Sequence, residues 1–172
     1  MNNYRIVLLT ACLMLTGLVH AGSAEEIDLK ADAALTELVA SVPETQPLLD
    51  NAAGVLIFPV VVKSGFGNDI EYGEGALRVG GKTIAYYVTS AEALSLQLGA
   101  QKKSLFVVFR STEALTDFRE PDVWVTGEHG DIDVFQPDTP DTSATIVTVL
   151  LEQGGPVYSL SLDGLSFRKL DK

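Results

Sequence analysis

Cysteine and histidine are nearly absent from this chain. Of its 172 residues, one is cysteine (Cys12) and two are histidine (His20 and His129). Cys12 sits in the N-terminal apolar run IVLLTACLMLTGLV, which follows a single cation, Arg5, and precedes the small-x-small triplet Val19-His20-Ala21. That order is the pattern of a secretory signal peptide. The run is shorter than the ~20 residues a membrane span needs. Cleavage is expected after Ala21, with a later option at Ala24, leaving residues 22–172 as one exported domain, periplasmic or secreted. Leu9-Thr10-Ala11-Cys12 resembles a lipoprotein box, but the apolar run continues past Cys12, so Cys12 is expected to leave with the leader. A mature chain without a thiol excludes disulfides, thiol nucleophiles and thiolate metal sites.

Basic residues are also scarce. Without Arg5, 11 lysines and arginines face 23 aspartates and glutamates, a net charge of −12. Nucleic-acid binders carry the opposite sign, so that class is excluded. The imbalance is uneven. Residues 22–62 hold one base and seven acids, residues 63–119 seven bases and six acids, and residues 120–172 three bases and ten acids. The middle third is the part least repelled by an anionic surface.

The glycine-rich stretch VVKSGFGNDIEYGEGALRVGGK, residues 61–82, lacks what a phosphate loop requires. No helix follows it, and Lys63 precedes the glycines instead of following them. Nucleotide cofactors are therefore not expected, and neither is any other cofactor. No Gly-x-Ser-x-Gly elbow is present. Glu71 and Glu74 are three apart, which in a strand puts them on opposite faces. Glu128, His129, Asp131 and Asp133 are a conceivable cation loop, but a solvated acidic turn accounts for them better. No catalytic set emerges, so the chain is not expected to be an enzyme.

What is present is a β-rich pattern. Ser23-Ala24-Glu25-Glu26 fits a capping box and opens a helix to about Val42, with Ile27, Ala31, Leu35, Leu38 and Val42 as its apolar stripe. Its acidic polar face, with Asp28, Asp32 and Glu37, favours packing on the core over insertion into lipid. A short helical turn is expected over ETQPLLDNA. GVLIFPVVV reads as a buried strand with an edge or bulge at Pro59. IEYGEGALRV and KTIAYYVT form a hairpin about Gly80-Gly81. LSLQLGAQ and KSLFVVFR are further strands, and Ser111 or Thr112 caps a short helix. VWVT and DIDVF flank an acidic hairpin tip. The C-terminus reads as a three-strand meander. The fold class is α+β: a largely antiparallel, curved or barrel-like sheet of about nine strands, one long N-terminal helix and one or two short helices.

In the hairpin register, Leu77, Gly75 and Gly73 are expected to share a face with Ile84, Tyr86 and Val88. Gly73 and Gly75 would then leave bare backbone there, covered by the Tyr86 ring or open to an apolar ligand.

These segments, taken together, resemble the SYLF domain. The resemblance is carried by Val55-Leu56-Ile57-Phe58-Pro59, Lys63-x-Gly65-Phe66-Gly67, Tyr72-Gly73-Glu74-Gly75, Gly80-Gly81-Lys82, Tyr86-Tyr87, Gln97-Leu98-Gly99-Ala100-Gln101 and Glu113-Ala114-Leu115-x-x-Phe118. Their order and spacing span most of the mature chain. The resemblance implies phospholipid binding without catalysis. Gly73, Gly75 and Tyr86 are then candidates for the apolar surface. Lys63, Arg78, Lys82, Lys102 and Lys103 are candidates for contact with phosphate headgroups at a membrane surface. For any single one of these bases, ordinary surface solvation is the simpler role. The alternative function is a cell-envelope scaffold that binds an unidentified protein partner.

Overall fold

A computed structural model describes residues 22–64, 70–92, 103–138, 143–152, 154–158, 162 and 164–172. The expected leader, the LSLQLGAQ strand, Gly65, Gly67 and Lys102 lie outside the described residues.

Helix α1 runs from Ala24 to Ser41, with the Ser23 hydroxyl accepting from the Glu26 amide at 3.2 Å. Pro43 follows, as expected of a residue that cannot continue a helix. A 3-10 turn (Pro43–Thr45) leads into the short helix α2 (Gln46–Asp50). Strands β1 (Gly54–Ser64), β2 (Ile70–Val79), β3 (Lys82–Glu92) and β4 (Lys103–Phe109) precede helix α3 (Thr112–Arg119), capped by Ser111. Then come β5 (Val123–Val125), β6 (Asp133–Val134), β7 (Ile146–Glu152), β8 (Gly155–Val157) and β9 (Ser166–Leu170).

The nine strands of the described residues belong to one sheet of this α+β fold, in the order β5-β9-β3-β2-β1-β4-β7-β6, with β8 paired to β7. The pairings are antiparallel except β6 with β7, which is parallel. Two expectations fail here, the second in part. VWVT and DIDVF do not form a hairpin: β5 and β6 end up at opposite edges of the sheet. The C-terminal meander holds only in its first step: β7 pairs with β8, residues 159–161 of the expected middle strand lie outside the described residues, and β9 pairs with β3 and β5. β8 is only three residues long and contains Pro156, which cannot donate to a ladder. β9 gains more elsewhere, by burying Phe167 among aromatic rings.

The positions of β5 and β6 require strong curvature. Eight strands laid flat span about 34 Å at the usual inter-strand spacing. The eight residue steps from Val125 to Asp133 reach at most about 27 Å when fully extended. The sheet therefore bends until its edges approach each other.

Bending separates an inner from an outer face. The inner cluster includes Leu56, Phe58, Leu77, Tyr87, Leu105, Val107 and Phe109. Helix α3 closes one end of it, and Phe118 touches Phe109, Tyr87, Trp124 and Phe167 with ring centroids 4.7–5.7 Å apart. Helix α1 covers part of the outer face, setting Ile27, Ala31, Ala34 and Leu38 against Val55, Ile57, Ala76 and Phe106. Ala34, not Leu35, completes the buried stripe, and Leu35 is half-buried at the helix flank.

Two bulges set the register. At the Gly80-Gly81 turn both residues have positive φ (+56° and +77°), as a two-residue hairpin loop demands. Val79 faces Lys82 and Arg78 faces Thr83 as expected, but Leu77 faces Ala85, leaving Ile84 as an extra residue. From there the expected pairing is off by one: Gly75 faces Tyr87 and Gly73 faces Thr89. A one-residue slip exchanges faces, so Tyr86 and Val88 lie on the outer face. The second bulge is at Pro59, where Phe58 and Pro59 together oppose Gly75.

Candidate functional site

The glycines of β2 do not leave open space. A Cβ on Gly75 would lie 2.6 Å from Phe58 Cδ1 and would collide with the Ile57 carbonyl oxygen. One on Gly73 would lie 2.7 Å from the Val60 carbonyl oxygen. The bulged strand β1 fills the space itself, and Phe58 continues inward to stack on Phe167 at 5.6 Å. Gly73 and Gly75 are thus accounted for by close backbone approach, and Tyr86 does not cover them.

Tyr86 has a different partner. Its hydroxyl donates to Asp28 Oδ2 of α1 at 3.0 Å, and the Thr83 hydroxyl donates to Asp28 Oδ1 at 2.7 Å. Burial, and then the bond to and charge of Asp28, push the Tyr86 phenol above its ordinary range. Arg78 joins the same junction. Its Nη2 lies 2.9 Å from Asp32 Oδ1 and 3.7 Å from Asp28 Oδ1, and donates to the Asp28 carbonyl at 3.2 Å. Nη1 donates to the Gly81 carbonyl at 3.3 Å. Nε is buried with no hydrogen-bond partner among the described residues.

The expected basic cluster does not assemble. Lys103 alternates inward on β4 with Leu105, Val107 and Phe109, and its side chain is 6% exposed. Its ammonium pairs with Glu71 of β2 and lies 3.8 Å from Glu152 of β7. This buried lysine cannot meet a headgroup at the surface. Nearby on the inner face, Glu71 Oε2 and Thr89 Oγ1 are buried without partners among the described residues. Lys82 is exposed beside the hairpin turn. The backbone of Lys63 pairs with Glu71 at the far end of β1. Glu71 and Glu74 do lie on opposite faces. Glu71 is buried inside, while Glu74 Oε2 accepts outside from the Gly22 amide (3.1 Å) and Lys172 Nζ (3.0 Å). His129 Nδ1 accepts from the Val125 amide at 3.1 Å, which occupies one of its two ring nitrogens. No group of three or more metal-ligating side chains occurs among the described residues.

One recess with ligand dimensions lies where α1, α2 and the β2–β3 turn meet. It is a cleft of about 630 Å³, within the usual range of ligand sites. Leu35 and Val39 of α1, Leu49 of α2, and Val55 of β1 supply its apolar lining. Asp32, Gln46, Asp50 and Arg78 supply polar groups, and the main chain of Gly80 and Gly81 completes it. Among the described residues, Arg78 is therefore the one member of the expected base set that lines this cleft. The sequence carried a usable signal for the rest. Asp28, Asp32, Leu35 and Val39 are spaced three or four apart, which places them on adjoining stripes of one helix.

No protein-family model matches the chain, and no curated protein matches it.

Proposed function

We propose that this chain is an exported, SYLF-like domain that binds a phospholipid or similar amphiphile and catalyses no reaction. The observation carrying this reading is the cleft at α1, α2 and the hairpin turn, with its apolar lining and charged members. An amphiphile needs both chemistries within one recess. Burial of one alkyl chain against Leu35, Val39, Leu49 and Val55 contributes about 0.8 kcal/mol per methylene removed from water. Val55, Gly80 and Gly81, which belong to segments that carry the SYLF resemblance, line the cleft.

Mass spectrometry of molecules that co-purify with the mature protein tests the proposal directly. A lipid present in the native protein, and lost from a Val39→Asp variant that still folds, supports it. Protein that carries no lipid and fails to float with either neutral or anionic liposomes at low salt would sink it.

A further inference from the structure

The charges of the cleft point away from an anionic ligand. Among the described residues Arg78 is the one cation that lines it, and that guanidinium is already engaged by Asp32 and Asp28. Asp50 is different. It is exposed, it accepts from the uncharged Gln46 amide at 2.7 Å, and no cation pairs with it among the described residues. An incoming phosphate monoanion would meet a neutralised arginine and an uncompensated carboxylate, on a protein whose formal net charge is −11. An ammonium group would meet a carboxylate that lacks a counter-charge.

We propose that the cleft selects an ammonium-bearing amphiphile, such as a phospholipid of the ethanolamine type, over an anionic one. The alkyl chain lies along Leu35, Val39 and Leu49, and the ammonium group pairs with Asp50. This inference rests on the amphiphile-binding reading. It reverses the headgroup preference that the basic residues of the middle third suggest in the sequence. The reversal has a structural cause: Lys103 is spent inside the sheet, and Arg78 is spent on α1.

Calorimetric titration of the mature protein with three monomeric single-chain probes tests it. The probes are lysophosphatidylethanolamine, lysophosphatidylglycerol of the same acyl length, and an alkyl maltoside. The ethanolamine lipid is expected to bind about threefold or more tightly than the glycerol lipid, the scale of an exposed ion pair, with the preference shrinking as salt is added. Asp50→Asn is expected to lower that preference about threefold. Asp50 is exposed, so an unchanged unfolding midpoint separates this effect from misfolding. Equal or tighter binding of the glycerol lipid overturns the headgroup inference and leaves amphiphile binding standing. Full preference retained in Asp50→Asn overturns the role of Asp50. Failure of all three probes to bind overturns both proposals.

Discussion

The ring of Phe58 lies where a side chain on Gly75 would have to be. The position tolerates no Cβ, since one would sit 2.6 Å from the ring and collide with the Ile57 carbonyl. Gly75→Ala is therefore expected to destabilise the protein by about 1–3 kcal/mol through overpacking and displacement of β1. Urea denaturation measures it. Phe58→Ala in the Gly75→Ala background should relieve the contact with the ring, though not that with the Ile57 carbonyl, so the two losses should be less than additive.

Lys103 supplies the charge that makes Glu71 tolerable inside the sheet. Both side chains are about nineteen-twentieths buried. Lys103→Met should leave the Glu71 carboxylate without its cation inside the sheet and cost about 3–5 kcal/mol. Adding Glu71→Gln to that variant should recover part of the loss. Equilibrium unfolding of the two variants checks both the size and the recovery.

Asp28 accepts from both Thr83 and Tyr86 and so ties α1 to the hairpin. Asp28→Asn is expected to cost about 1 kcal/mol, toward the low end because Asp28 is about one-third exposed. The Tyr86 phenol is raised in the folded state, first by burial and then by Asp28. Its protonated form is thus the one the fold favours. That contribution is complete below the unfolded value of about 10 and is lost as pH rises through the higher folded value. Spectroscopic titration of tyrosinate should show Tyr86 ionising late in the parent protein and earlier in Asp28→Asn.

Phe118 joins α3 to four inner-face aromatics. Phe118→Ala should cost about 3–5 kcal/mol and weaken the near-ultraviolet circular dichroism of Trp124. Lys82→Glu, at an exposed position, should change stability by less than about 0.5 kcal/mol in the same assay.

Short-range features of this fold were legible in the sequence. The Ser23 and Ser111 caps, the Gly80-Gly81 turn and the break at Pro59 each depend on a few neighbouring residues, and each is where the local chemistry placed it. What failed were the long-range pairings. The extra residue at Ile84 is invisible to period-two counting, and it moved Tyr86 to the other face. The partner of β9 was decided by where Phe167 could be buried, not by the nearest turn. The site failed for the same reason. Arg78 was visible as a cation, but the carboxylates that engage it arrive on a helix far away in sequence. Lys103 looked like a surface base because its buried counter-charges sit on two other strands.

The segment between β5 and β6 acts as a bowstring. It joins the two rims of the bent sheet, and much of its reach is taken up by the tight turn in which the Gly127 amide donates to the Gly130 carbonyl. Its length therefore helps to fix how far the sheet can open. A nick or a long insertion there would remove no core side chain, yet it would free the rims to move apart. The aromatic packing around Trp124 and Phe118 would be the first to register the change.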